Sequence, residues 1–169
     1  MARNRSYRHV DTFRTIIHGD WCVYCGDIAT TRDHFPPASL TMRGLLLPCC
    51  EECNSLAGTD NGTDFGLRAD LVKIKLRKRY RKTLMVSVWG SEELSEMGKS
   101  LKREIRTWQE RRRIIQSRLA WNAEGYLASI DKNNAFAELI AECGITTNCD
   151  QKPIDSSVQE QLLATDQNE

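Results

Sequence analysis

The sequence lacks any long uninterrupted run of apolar residues. None approaches the ~18 residues that a membrane-spanning helix needs, so a membrane protein is not expected. No apolar stretch follows the basic residues near the N-terminus, so a secretory signal is not expected either. Internal repeats and low-complexity segments are also missing. These absences predict a protein of the reducing cytoplasm that has no membrane partner.

The composition is that of a folded domain. Hydrophobic residues make up 40% of the 169 residues and charged residues 28%. A chain of this length and composition is globular and long enough to bury a core.

The net charge of +1 hides an uneven distribution. Residues 1–130 contain 22 Lys and Arg against 15 Asp and Glu, whereas residues 131–169 contain 2 against 8. A basic body attracts polyanions, because contacts with phosphates release condensed counterions. The charge pattern therefore favours a nucleic acid as partner, with an acidic tail that could compete for the same surface.

Five of the seven cysteines lie within 32 residues, and four of them form two pairs, Cys22-x2-Cys25 and Cys50-x2-Cys53. In a reducing compartment such spaced pairs indicate a metal site rather than disulfides. We call each Cys-x2-Cys pair a knuckle. Two knuckles complete a tetrahedral four-sulfur zinc site with no open position, so this zinc is expected to be structural. Cys49 remains an alternative to Cys50, through the spacing Cys49-x3-Cys53.

An Asp-His pair lies between the two knuckles. Asp33 and His34 follow a stretch rich in β-branched residues and precede Pro36 and Pro37, which predicts the end of a strand. Asn54 follows the last knuckle cysteine, where a helix is expected to begin. If the zinc fixes both segments, these side chains come together. An Asp, a His and an Asn in one place could hold a hard cation and activate a water molecule.

The run TRDHFPPASL followed by PCCEECN resembles the zinc-knuckle branch of the HNH endonuclease family. The resemblance covers residues 21–60, about a quarter to a third of the chain. It implies a small zinc-stapled ββα-metal core of treble-clef-like shape. It also implies an enzyme of the bacterial cytoplasm, or one encoded by a phage, that hydrolyses phosphodiester bonds of DNA, with RNA as the alternative substrate.

The same resemblance implies a role for each residue of the motif. His34 corresponds to the general base that activates water. Asp33 and Asn54 correspond to the ligands of a catalytic Mg²⁺ or Mn²⁺.

The sequence departs from the family pattern at one position. A central Asn usually lies about five residues before the second knuckle and orients the base, whereas Gly44 and Leu45 occupy that region here. This departure favours an alternative of a different class, a non-catalytic zinc-stabilised nucleic-acid-binding or adaptor protein on the HNH scaffold. A third possibility is an inhibitor or interaction protein that uses the helical half.

Basic residues concentrate in residues 73–82, where seven of ten are Lys or Arg. On a helix this run is either a solvated face or a phosphate-binding one. A second basic cluster covers residues 111–113. The predicted nucleic-acid-binding residues are Lys73, Lys75, Lys78, Arg79, Arg81 and Lys82.

Apolar spacing predicts helices over residues 5–18, 62–84, 101–119 and 134–143, with Ser91 as the N-cap of a further one. The four tryptophans are expected in the core. The predicted fold class is α+β, with a predominantly helical C-terminal region. The predicted divisions are an N-terminal helix (1–20), the zinc-held core (21–62), a helical region with a basic face (63–145) and a flexible acidic tail (146–169).

Overall fold

A computed structural model describes residues 14–37, 44–58 and 64–143. Predictions for residues 1–13 and for the acidic tail lie outside the described residues.

Three short strands form one sheet in the spatial order β1-β3-β2. They are β1 (Arg14–Ile16), β2 (Thr31–Phe35) and β3 (Gly44–Cys49). The central strand β3 runs parallel to β1 and antiparallel to β2, with Thr31 opposite Cys49 and Phe35 opposite Leu45. Because β3 is paired on both sides, its GLLLPC sequence is almost entirely buried.

Residues 14–16 were predicted to lie within a helix over residues 5–18, and this part of the prediction is wrong. They form β1, and the backbone continues beside β3, where Ile17 N donates to Leu46 O at 3.0 Å. A short isolated helix is marginally stable, whereas pairing with β3 supplies backbone partners and buries Ile17.

Seven helices follow among the described residues. They are α1 (Glu51–Ala57), α2 (Phe65–Arg79), α3 (Arg81–Leu84), α4 (Ser91–Ser95), α5 (Lys99–Leu119), α6 (Ala123–Ile130) and α7 (Ala135–Cys143). The prediction of an α+β protein with a largely helical second half is confirmed.

Several helix ends differ from the predictions. The predicted helix over 62–84 is divided at Tyr80 into α2 and α3. Ser91 is the first residue of α4 rather than its N-cap, which is Gly90, and Gly90 N donates to Glu93 at 2.7 Å. Helix α6 was not predicted; it begins at the cap residue Asn122, whose side chain accepts from Gly125 N at 2.9 Å.

The core lies where the sheet meets α1, α2, α6 and α7. Phe35 packs against the rings of Phe65 and Phe136. Contrary to prediction, three tryptophans are substantially exposed: Trp21, Trp89 and Trp108.

Helix α5 packs against α2 and α3. Its buried residues are Ile105, Ile115 and Arg118. Arg112, which interrupts the apolar stripe, is accommodated because its Nη1 donates to Val86 O at 2.8 Å.

Candidate functional site

Four buried cysteines meet between the loop before β2 and the start of α1. The sulfur atoms of Cys22, Cys25, Cys50 and Cys53 all lie within 4.8 Å of one another. We call this group the thiol cluster. It unites the two predicted Cys-x2-Cys pairs, and it could hold one metal ion such as zinc by tetrahedral sulfur coordination.

The first pair lies on a tight turn closed by a bridge between Trp21 and Ile28. Gly26 N donates to Cys22 O at 2.9 Å, and Gly26 has a φ of 68°, which favours glycine. A Cβ atom at Gly26 would also lie 2.3 Å from the ring of Trp121, so the turn requires glycine for two reasons.

The second pair lies at the start of α1. Cys50 is the N-cap, and its sulfur accepts from Cys53 N at 3.4 Å. Cys49 is buried beside the group, with its sulfur 3.8 Å from that of Cys22 and within reach of Cys50 O at 3.3 Å. The fourth member of the cluster is therefore Cys50 rather than Cys49.

The pKa values of the thiols in the cluster depend on their neighbouring sulfurs. Hydrogen bonds from Cys22, Cys25 and Cys53 lower the pKa of Cys50. Contacts with the other three sulfurs raise the pKa of Cys53, and contacts with Cys22 and Cys50 raise that of Cys25. Four thiolates together require a positive ion, and the donor set fits zinc.

A second buried polar group lies on the inner face of β2. Asp33, only 4% exposed, accepts through Oδ2 from the Tyr24 hydroxyl at 2.5 Å and from Arg68 Nε at 3.0 Å. Its Oδ1 accepts from Arg68 Nη2 at 3.0 Å. We call these three residues the carboxylate cluster. Both carboxylate oxygens are occupied by protein donors.

Arg68 joins three elements through this cluster. Besides its ion pair with Asp33, it donates to Ala57 O at 3.5 Å and to Gly58 O at 3.0 Å, at the end of α1. Burial acts to lower the pKa of Arg68, but hydrogen bonds to Asp33 raise it. Burial and the nearby Asp33 charge raise the pKa of Tyr24. The cluster therefore holds a charged pair and a neutral phenol, and ties β2 to α1 and α2.

His34 is part of β2, whereas Asn54 contacts β2 from helix α1. His34 follows Asp33 in the strand, so its side chain leaves from the opposite face, and it is exposed. Asn54 Nδ2 donates to Thr31 Oγ1 and to Arg32 O, both at 3.3 Å. The structure thus brings Asn54 onto the strand that carries the Asp-His pair. It does not bring Asp33 and His34 onto one face.

A catalytic divalent ion at Asp33 and Asn54 does not fit this arrangement. Mg²⁺ and Mn²⁺ need oxygen ligands, whereas both Asp33 oxygens already accept from Arg68 and Tyr24. Among the described residues, the thiol cluster is the sole group of three or more candidate metal ligands.

Gly44 and Leu45, where the family resemblance would place a central Asn, are sterically restricted in this structure. A Cβ at Gly44 would lie 2.9 Å from the backbone oxygen of Phe35, and Leu45 is buried at 2% exposure. Neither position could present a polar side chain to His34.

The predicted nucleic-acid-binding residues divide into two groups. Lys75 Nζ donates to Leu56 O at 2.8 Å, Arg79 pairs with Glu52 at 2.9 Å, and Lys73 is half-buried. Three others are exposed on α2 and α3: Lys78, Arg81 and Lys82. Arg79 is exposed as well, at 46% of its side chain, although its guanidinium is paired with Glu52.

Helix α5 carries a further basic face. Lys99, Lys102, Arg103, Arg106 and Arg111 line a shallow surface groove. Of the predicted second basic cluster, therefore, residue 111 faces this groove.

Sequence reasoning missed Arg68, Tyr24, Arg118 and Glu52. Arg68 lies 35 residues from Asp33, and Arg118 lies 93 residues from Cys25, whose sulfur it contacts at 3.5 Å. No local spacing signals such long-range pairs. Arginines on the apolar sides of α2 and α5 were the available hint, but Arg112 shares that side of α5 with Arg118.

No family model, curated protein or solved structure was found to match the chain. In the described part of the chain, none of the helices combines the length and apolar character needed to cross a bilayer.

Proposed function

We propose that this protein is an HNH-type endonuclease that hydrolyses phosphodiester bonds of DNA, with His34 as the general base. One observation carries the proposal. Strands β2 and β3 and helix α1 form a strand-strand-helix unit, in which the thiol cluster joins the loop before β2 to the start of α1. His34 is exposed on β2 of this unit. In this unit Asn54 also contacts the same strand.

The chemistry asked of His34 is a proton transfer. A neutral imidazole accepts a proton from water, and the water oxygen forms a bond to phosphorus. The bond between phosphorus and the 3′-oxygen breaks, and the leaving oxygen takes a proton from solvent. Exposed Lys78, Arg81 and Lys82 would hold the phosphate backbone without selecting a sequence.

Asp33 has a different role in this proposal from the one that the motif implies. Its ion pair with Arg68 anchors β2 from the inner face, so Asp33 positions the strand while His34 faces the substrate. We derive no step through a catalytic divalent ion.

The test is cleavage of supercoiled plasmid by zinc-loaded protein in Mg²⁺, in Mn²⁺ and in EDTA. We expect nicking or cutting by wild type and loss of at least ~10²-fold with His34→Ala, the scale of a general base. His18→Ala is the matched control, because His18 is also exposed but lies outside the motif. Equal cleavage by wild type and His34→Ala would remove His34 from the reaction.

The carboxylate cluster favours a second candidate, a non-catalytic nucleic-acid-binding protein on the same scaffold. An Asp closed off by Arg68 and Tyr24 cannot serve as an open metal ligand. This candidate predicts binding of DNA or RNA without cleavage in any divalent ion.

Binding is measured by gel shift across a salt series. Replacing Lys78, Arg81 and Lys82 together by Gln should weaken binding and reduce the salt dependence, because phosphate contacts are lost. Lys132→Gln, an exposed lysine beyond the basic run, should leave both unchanged. If binding survives the triple substitution, another face of the protein contacts the phosphates. The basic residues of the α5 groove would then be substituted next.

A further inference from the structure

One buried arginine lies against the thiol cluster. Arg118, at the C-terminal end of α5, is 9% exposed. Its Nη2 lies 3.5 Å from Cys25 Sγ and 4.0 Å from Cys50 Sγ. The guanidinium therefore reaches one sulfur of each knuckle.

The position of Arg118 is fixed by partners beyond the cysteines. Nη2 also donates to Glu52 Oε2 at 2.8 Å, and Nε lies 3.9 Å from a carboxylate oxygen of Asp27. The guanidinium carbon lies 6.0 Å from the centre of the Tyr80 ring. Glu52 is itself held, because its Oε1 accepts from Tyr80 at 2.8 Å and from Arg79 at 2.9 Å. A fixed donor of this kind is already oriented before a metal binds.

Charge gives this contact its importance. One divalent ion with four thiolates is an anion, because four negative sulfurs outweigh the two positive charges. A buried guanidinium that donates to two of the sulfurs offsets part of this negative charge. Partners beyond the direct ligands commonly set metal affinity in this way.

We propose that Arg118 is an outer-sphere partner of the metal site. It donates to the thiolates of Cys25 and Cys50, strengthens metal retention, and shields these two sulfurs from electrophiles more than it shields Cys22 and Cys53. Through the same contacts, the end of α5 is part of the metal centre. All three contacts come from one nitrogen, Nη2, whose two N–H groups serve Glu52 and, as a shared donor, the two sulfurs. A lysine ammonium carries its charge at a different reach from the backbone, so it would not reproduce this set of contacts.

The first measurement is zinc affinity of the full chain, by competition with a chromogenic chelator. Arg118→Met should lower the affinity by roughly 10–100-fold, the usual effect of losing such a partner. Arg118→Lys should recover only part of it. Arg113→Met is the matched control, because Arg113 lies on the same helix but is exposed and pairs with Glu110. Wild-type affinity in Arg118→Met would overturn the proposal.

The second measurement separates a specific contact from general destabilisation. Zinc-loaded protein is treated with N-ethylmaleimide, and the modified cysteines are mapped by mass spectrometry. We expect Arg118→Met to accelerate modification at Cys25 and Cys50 more than at Cys22 and Cys53. An equal acceleration at all four sulfurs would contradict the proposal, because a loosened fold exposes the whole cluster.

A third readout does not depend on affinity. In Co²⁺-substituted protein, the sulfur-to-metal absorption bands should shift in Arg118→Met, because two thiolates lose a hydrogen bond. If Arg118→Met does not fold, Glu52→Gln serves as the second variant, since it removes the carboxylate that orients the guanidinium. Unchanged cobalt bands in the folded variant would count against the contact.

Discussion

The thiol cluster and the carboxylate cluster connect the sheet region to the helical half in parallel ways. Each has an acidic group on the sheet side, and each receives one buried arginine from a helix: Arg118 from α5 and Arg68 from α2. They differ in what neutralises the charge. The charge of Asp33 is balanced by the Arg68 guanidinium, whereas the four sulfurs contact Arg118 and together could also hold a metal ion. The carboxylate cluster is complete without a metal, and the thiol cluster has the ligands for one.

The largest expected effect comes from breaking the thiol cluster. Cys50→Ser should abolish stoichiometric zinc binding and unfold the sheet region, because structural zinc contributes on the order of 10–16 kcal/mol in small zinc domains. Metal analysis and circular dichroism measure both. Cys49→Ser is the control, because Cys49 lies beside the cluster rather than in it. Zinc loss in Cys49→Ser with retention in Cys50→Ser would reverse the ligand assignment.

The carboxylate cluster should respond next. Arg68→Met leaves Asp33 charged, buried and without its cation, which costs about 3–5 kcal/mol in comparable buried pairs. Urea denaturation of the zinc-loaded protein gives the free energy of unfolding. The double variant Asp33→Leu/Arg68→Met should recover most of the loss, because it removes both charges together. A double variant as unstable as Arg68→Met would show that packing, not the unpaired charge, dominates.

A smaller effect is expected at Tyr24. Tyr24→Phe removes the hydroxyl that donates to Asp33 and accepts from Arg68 Nε at 3.2 Å, and it leaves the ion pair between Asp33 and Arg68 intact. Hydrogen bonds to charged groups contribute about 1.5–3 kcal/mol, so the free energy of unfolding should fall by that amount. Zinc stoichiometry should stay at the wild-type value, since Tyr24 contributes no sulfur. A zinc deficit in Tyr24→Phe would show that the two clusters are not independent.

The two clusters also differ in how far they could be predicted from the sequence. The thiol cluster was predictable because its ligands repeat a short spacing twice, and each spacing fixes a local turn. The carboxylate cluster was not, because Asp33 and Arg68 come together only when α2 packs on β2 and α1. A buried Asp and an exposed metal-binding Asp look alike in a sequence.

The same limit applies to the secondary structure. Long periodic segments such as α5 were predictable, because many turns repeat the apolar pattern. Strand β1 was not, because three residues acquire their conformation from pairing with β3. Helix α6 was also missed, because its eight residues are too few to repeat a helical pattern and its start depends on the cap at Asn122.

Trp121, which lies against Gly26, can serve as an intrinsic fluorescence probe of the first knuckle. The indole ring is half-buried and lies over the first knuckle, and its Nε1 is shielded from solvent. Rearrangement of that knuckle on metal loss would change the surroundings of the ring and so its fluorescence. With Trp21, Trp89 and Trp108 replaced by Phe, emission from Trp121 alone would follow metal exchange in real time without an added dye.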